Sequence, residues 1–233
     1  MGNAIRYELT RLRTVRSTWV LLGCGLLMQA LIAWIAASKT DLTPREQFVM
    51  AFSGLPLILV SLFSTAVAVN AFGHEYRYGT ITTTMLTLRK PGRVLAAKAI
   101  TCGLLAALTG AATVGVTLAV QAAVSSVPTE TWRIAQILGA VTLYSTLAAL
   151  VGLGIAAITR NATLAMVAAV GLPTVVEMSG LLAGVSAKVM PFTAAATLVR
   201  PYEGDPALMA LPLLALAIGL LTIGGAMLVR RDV

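Results

Sequence analysis

Long apolar runs separated by short polar ones dominate this chain, and six of them reach the roughly 20 residues that a helix needs to cross a bilayer. The pattern predicts spans at about Ser17 to Ala37, Phe48 to Phe72, Leu95 to Val124, Ile134 to Ile158, Ala162 to Val185 and Ala207 to Val229. Ten-residue segments of alternating polarity, the mark of a membrane β-barrel, are absent. The predicted fold is all-α and integral to a membrane, with residues 1–233 forming a single transmembrane domain.

The polar segments carry their own signals. Before the first span, Ile5, Leu9 and Leu12 recur at helical spacing, with Arg6 and Arg13 to one side and Glu8 and Arg11 to the other. Residues 1–16 so predict an amphipathic elbow helix lying in the interface, beside the plainer reading of an arginine anchor. In the second connection, residues 73–94, Gly79 stops the arriving helix, Thr80 caps a new one, and Pro91-Gly92 ends it. The short helix between, Ile81 to Leu88, carries Met85, Leu86 and Leu88; a solvated loop whose basic residues only set topology is the alternative. His74, the one histidine, reads as a surface residue rather than a ligand or base.

Within span three, Gly103, Ala107, Ala111, Gly115, Ala119 and Ala123 make a small-residue face suited to close helix packing. Thr109, Thr113, Thr117 and Gln121 form a second ladder about 200° round the helix. Either it faces a transport path or its hydroxyls bond their own backbone carbonyls. Shorter small-residue sets, Ala148-Gly152-Ala156 and Gly180 to Gly184, fit a packed bundle. Span five holds Glu177, one turn after Pro173, which frees the Ala169 carbonyl and predicts a kink. An acid at that depth needs a reason. It belongs to a transport path, or it is a structural acid, protonated or paired, with Lys188 within reach. The last connection, residues 186–206, contains Pro191, Pro201 and Pro206 with apolar Phe192, Leu198 and Tyr202, and reads as short helices dipping into the outer leaflet.

Composition agrees: the chain is 58% hydrophobic and 11% charged, with mean hydropathy +0.89. That is far more apolar surface than a soluble core of this size hides. Twelve of the 17 Lys and Arg fall on one side: Arg6, Arg11, Arg13, Arg16, Arg77, Arg89, Lys90, Arg93, Lys98, Arg160, Arg230 and Arg231. On the other side, Lys39, Arg45, Arg133, Lys188 and Arg200 are balanced by Asp41, Glu46, Glu130, Glu203 and Asp205. The positive-inside rule places both termini in the cytoplasm. The net charge of +8 reads as topology and affinity for anionic membrane lipids, not as nucleic-acid binding.

Cys24 and Cys102 read as packed free thiols, and no disulfide or zinc pattern exists. The Arg-rich start imitates a secretory signal, but its apolar run is long and five more spans follow, so it reads as a retained helix. The chain has no phosphate-cradling G-x-x-x-x-G-K-[ST], no H-E-x-x-H, no G-x-S-x-G and no second histidine. It is therefore read as a non-enzyme, with no catalytic, cofactor or metal site of its own. Energy comes from a partner chain or an ion gradient.

The order Glu75, Gly79, Thr80, a short apolar helix, Pro91, Arg93 and then Lys98 at the foot of the next span resembles the first cytoplasmic loop of type-2 ABC export permeases. Glu8 to Ser17 is similar to the elbow start of many bacterial permeases of that family, and a re-entrant outer segment before span six is a family trait. The resemblance covers essentially the whole chain; the β-branched run Thr82-Thr83-Thr84 departs from it and weakens the loop helix. It implies an ATP-driven exporter subunit in the bacterial plasma membrane, a homodimer joined by two ATPase subunits that hold ATP and Mg, and alternating access for a hydrophobic or amphipathic drug, peptide or lipid. Glu75, Gly79, Thr80, Met85, Leu86, Leu88 and Arg93 would couple to the ATPase. Thr109, Thr113, Thr117, Gln121 and Glu177 are the residues for a path. Two other classes stay open: a standalone ion-coupled carrier or channel using Glu177, and a scaffolding or immunity-type membrane protein.

Overall fold

The computed structural model describes residues 2–80, 91–200 and 205–231, and every regular element among them is helical. Helix α1 spans Gly2–Thr14, α2 Arg16–Ala37, α3 Pro44–Met50 and α4 Leu55–Arg77. Helix α5 runs Pro91–Val124, α6 Thr131–Thr159 and α7 Ala162–Gly171. A π-helical turn at Leu172–Val176 leads into α8, Glu177–Leu182; α9, Pro191–Ala196, continues as a 3-10 turn at Thr197–Val199, and α10 is Pro206–Arg231. Among the described residues six helical stretches are long and apolar enough to cross a membrane: α2, α4, α5, α6, α7 through α8, and α10.

Local chemistry sets the boundaries. The second span begins at Leu55 rather than Phe48, because the residues before it form the separate helix α3. Its N-cap Thr43 accepts from the Glu46 N–H while Glu46 takes the Thr43 N–H, a capping box, with Pro44 at the first helical position. Gly54, at φ +69, then turns the chain, and Phe48 and Phe52 meet edge to face inside the core. At the other end α4 continues past Phe72 to Arg77, and Gly79 at φ +68 stops it as expected. Asn161 caps α7, its side-chain oxygen accepting from Thr163 N and Leu164 N. At Pro173, where a kink was expected, the α-helical pattern of span five gives way to the π turn.

Helix α6 is the axle of the bundle: 72% of its most apolar stretch is buried, against 17% for α10. It packs on α4, α5 and α10, and glycines let the backbones close up. A Cβ added at Gly152 would stand 2.6 Å from Thr65 Cγ2, and one at Gly154 2.8 Å from Leu220 Cβ. The predicted small-residue face of span three is only partly used. Gly103 lies near Thr146 and Leu150 of α6, but Gly115 has open space beside it and Ala119 and Ala123 are exposed. The close contact is made by Gly110, about two turns on from Gly103, against Thr142 and Val141. Of the two thiols only Cys102 is packed; Cys24 lies on an exposed face of α2.

Candidate functional site

Two clusters of charge sit in an otherwise apolar bundle, one at each end. At the arginine-rich end, Lys98 of α5 is wholly buried, with its Nζ 2.5 Å from Glu75 Oε1, 2.7 Å from Glu8 Oε1 and 2.9 Å from the Ala71 carbonyl. Arg11 Nη2 lies 2.9 Å from Glu8 Oε2, and Arg11 Nη1 donates to the same Ala71 carbonyl at 2.7 Å. Two acids and two bases thus form a neutral knot that joins α1, the foot of α4 and the foot of α5. Such a knot survives burial because each charge has a partner, and removing one partner strands the rest.

This geometry revises the reading of α1. The helix turns Ala4, Glu8 and Leu12 inward and leaves Leu9 half exposed, so its buried face is centred on Glu8, and of the predicted Ile5, Leu9 and Leu12 stripe only Leu12 is buried. The sequence signal was an acid and a base three residues apart, Glu8 and Arg11, on the flank away from Arg6 and Arg13. A lone lysine at the foot of an apolar span was the other half of it. Glu75 is 3% exposed, so it does not itself form a docking surface. Thr80 and Arg93 are exposed on either side of the loop, and the predicted helix Ile81 to Leu88, with Met85, Leu86 and Leu88, lies outside the described residues. His74 is partly exposed, stacked edge-on to Tyr78.

At the far end, Glu177 does not pair with Lys188. Its carboxylate accepts from Phe192 N at 2.8 Å, from Thr193 N at 2.7 Å and from the Thr193 hydroxyl at 2.7 Å, closing the first turn of α9. The opposite end of the same segment is held by α6, where Arg133 Nη2 donates to the Val199 carbonyl at 2.8 Å and Gln136 Nε2 to that of Leu198 at 3.3 Å. A carboxylate at the amino end and a guanidinium at the carboxyl end both match the helix dipole. Arg133, expected in an outer connection, is 1% exposed; beside its bond to Gln136 it holds the Val199 carbonyl 66 residues on, a contact with no local trace in the sequence. The segment does form short helices, with Phe192 and Leu198 buried.

The threonine ladder is closed within the chain. Thr109 donates to Leu105 O, Thr113 to Gly110 O and Thr117 to Thr113 O, the inert use of the hydroxyl. Gln29 of α2 donates to Thr117 Oγ1 at 2.7 Å and Gln121 donates to Pro44 O of α3 at 3.1 Å. Thr109 and Thr113 line a cavity of about 10 Å³, room for one water at most, and Glu177 is not on its wall. The residues proposed for a path are therefore split between two places.

Among the described residues, six membrane-length helices, with the buried charges gathered at the two ends of the bundle, define a multi-pass helical membrane protein. The model of the family described as ABC-2 family transporter protein matches residues 4–180, and the chain belongs to that family. It is thus an ABC transporter membrane subunit, in a system that includes an ATPase partner. No curated protein matches the chain.

Proposed function

We propose that this chain is the membrane half of an ATP-driven exporter in the bacterial plasma membrane, with both termini and residues 73–94 in the cytoplasm. Two copies work with two ATPase subunits, which hold ATP and Mg, and carry a hydrophobic or amphipathic cargo such as a drug, peptide or lipid outward by alternating access. The observation that carries this reading is the Glu8, Arg11, Glu75 and Lys98 knot. It binds the helices on both sides of the loop, and α1 with them, at distances of 2.5 to 2.9 Å. A push delivered to residues 81–90 reaches three helices at once. Gly79, Thr80, Met85, Leu86, Leu88 and Arg93 supply the contact with the ATPase, and Glu75 passes the displacement inward. Engagement of the Glu177 carboxylate by α9 leaves the standalone carrier without its proton-handling group and favours the exporter.

Two measurements test it. Leu86→Asp puts an unpaired charge into an apolar docking contact, which is costly. It should detach the ATPase on co-purification or uncouple its activity from transport, and cargo movement by the purified chain alone would overturn the reading. In a chain lacking Cys24 and Cys102, a cysteine at Glu130 should react with an impermeant maleimide from outside cells, and one at Thr83 should not. Labelling at 83 would reverse the topology.

A further inference from the structure

Between α1, the start of α2 and the inner half of α4 lies a cavity of about 530 Å³ that the charged knot does not fill. Its size is that of a small-molecule site. Its wall is graded. Leu12 and Val67 line the deeper part, Arg11 and Asn70 come next, and His74 and Tyr78 stand at the mouth. From Val67 to Tyr78 along α4 is a rise of roughly 16 Å, about half the hydrocarbon thickness. The Asn70 amide has no hydrogen-bond partner among the described residues, although it lies within a membrane-spanning helix. A polar group so placed is costly unless a ligand or water meets it.

Charge and aromatic residues mark the mouth as a headgroup layer. Arg16 stands between the lining residues Val15 and Ser17, Arg77 precedes Tyr78, and both arginines are exposed. Glu75, itself on the wall, and Glu8 beside it are already paired with Lys98, so the field that Arg16 and Arg77 set at the mouth is positive. Tyr7, Trp19 and Tyr78 are exposed at the same end, the placement of an interfacial aromatic belt.

We infer that this cavity binds one anionic phospholipid of the adjoining leaflet, its phosphate between Arg16, Arg77 and Asn70 and the upper part of one chain against Leu12 and Val67. The inference does not depend on the direction of transport or on the identity of the cargo. Apolar depth, a lone amide and a basic mouth match the polarity of such a lipid from chain to headgroup. A zwitterionic lipid forgoes the attraction of the two arginines.

The test is native mass spectrometry of the purified full chain titrated with phosphatidylglycerol, phosphatidylcholine or inorganic phosphate. One phosphatidylglycerol should bind per chain in preference to phosphatidylcholine, and inorganic phosphate should not compete. Asn70→Trp fills the slot and should abolish the adduct. Arg16→Gln with Arg77→Gln, both at exposed sites, should weaken it roughly thirtyfold, the combined pull of two surface arginines on an anionic headgroup. Equal binding of the two lipids, competition by inorganic phosphate, or an adduct indifferent to the arginine pair would each overturn the assignment.

Discussion

Lys98 Nζ lies 2.5 Å from Glu75 Oε1, across 23 residues of sequence that include the whole inner loop. Replacing Lys98 by Met leaves the knot one positive charge short, with Arg11, 3.9 Å away, as the cation left to Glu75. The loss should be about 3–5 kcal/mol, seen as a lower thermal unfolding midpoint of the purified chain in detergent. Adding Glu75→Gln to Lys98→Met, which leaves Glu8 paired with Arg11, should recover most of it. A double variant as unstable as the single one would mean that packing, not charge pairing, sets the loss.

Glu177→Gln replaces one accepting oxygen by an amide that cannot take a bond from Thr193. About 1–3 kcal/mol of local stability should go with it. The readout is a cysteine at Ala194, a buried position on α9, in a chain lacking Cys24 and Cys102. Its labelling by maleimide should accelerate in Glu177→Gln and stay unchanged in Lys188→Ala.

Close packing separates two glycines that look alike in sequence. Gly152→Leu drives a side chain into Thr65 and Val69 of α4 and should cost about 1–3 kcal/mol. Gly115→Ala meets open space and gains helix propensity, so the unfolding midpoint of the isolated chain should hold or rise.

The capping box of α3 gives a dependence on pH. The Thr43 N–H and hydroxyl bond the Glu46 carboxylate and hold its pKa below the ordinary value. A folded pKa below the unfolded one means stability present above the unfolded value and lost as pH falls through the folded value. Hydrogen exchange of α3 amides should be slower in the parent than in Glu46→Gln at neutral pH. The difference should vanish once the carboxylate is protonated.

Legibility in the sequence followed the range of the interaction. The number of spans, the Gly79 stop and the Pro173 break rest on neighbours in the chain, and each appears where composition and punctuation put it. Helix α3 was missed because Phe48 and Phe52 continue the apolar run of span two, while the capping box and Gly54 that divide them are single residues. The partners of Glu177 were missed for another reason. Lys188 is the nearest cation in sequence, but the groups that hold the carboxylate are the amides of Phe192 and Thr193, which every residue type but proline carries. The hydrogen bond from Gln29 to Thr117 spans 88 residues and has no local trace at all.

The π turn at Leu172–Val176 works as a one-residue phase shifter. An α-helix advances about 100° per residue, so the extra residue held in the wide turn decides which way everything after it points. Glu177, the first residue beyond it, owes its aim at Phe192 to that surplus. Shortening the chain by one residue inside the turn keeps the aim. Regularising the turn at full length, as Pro173→Leu would favour, swings the carboxylate off α9 by about a quarter of a circle.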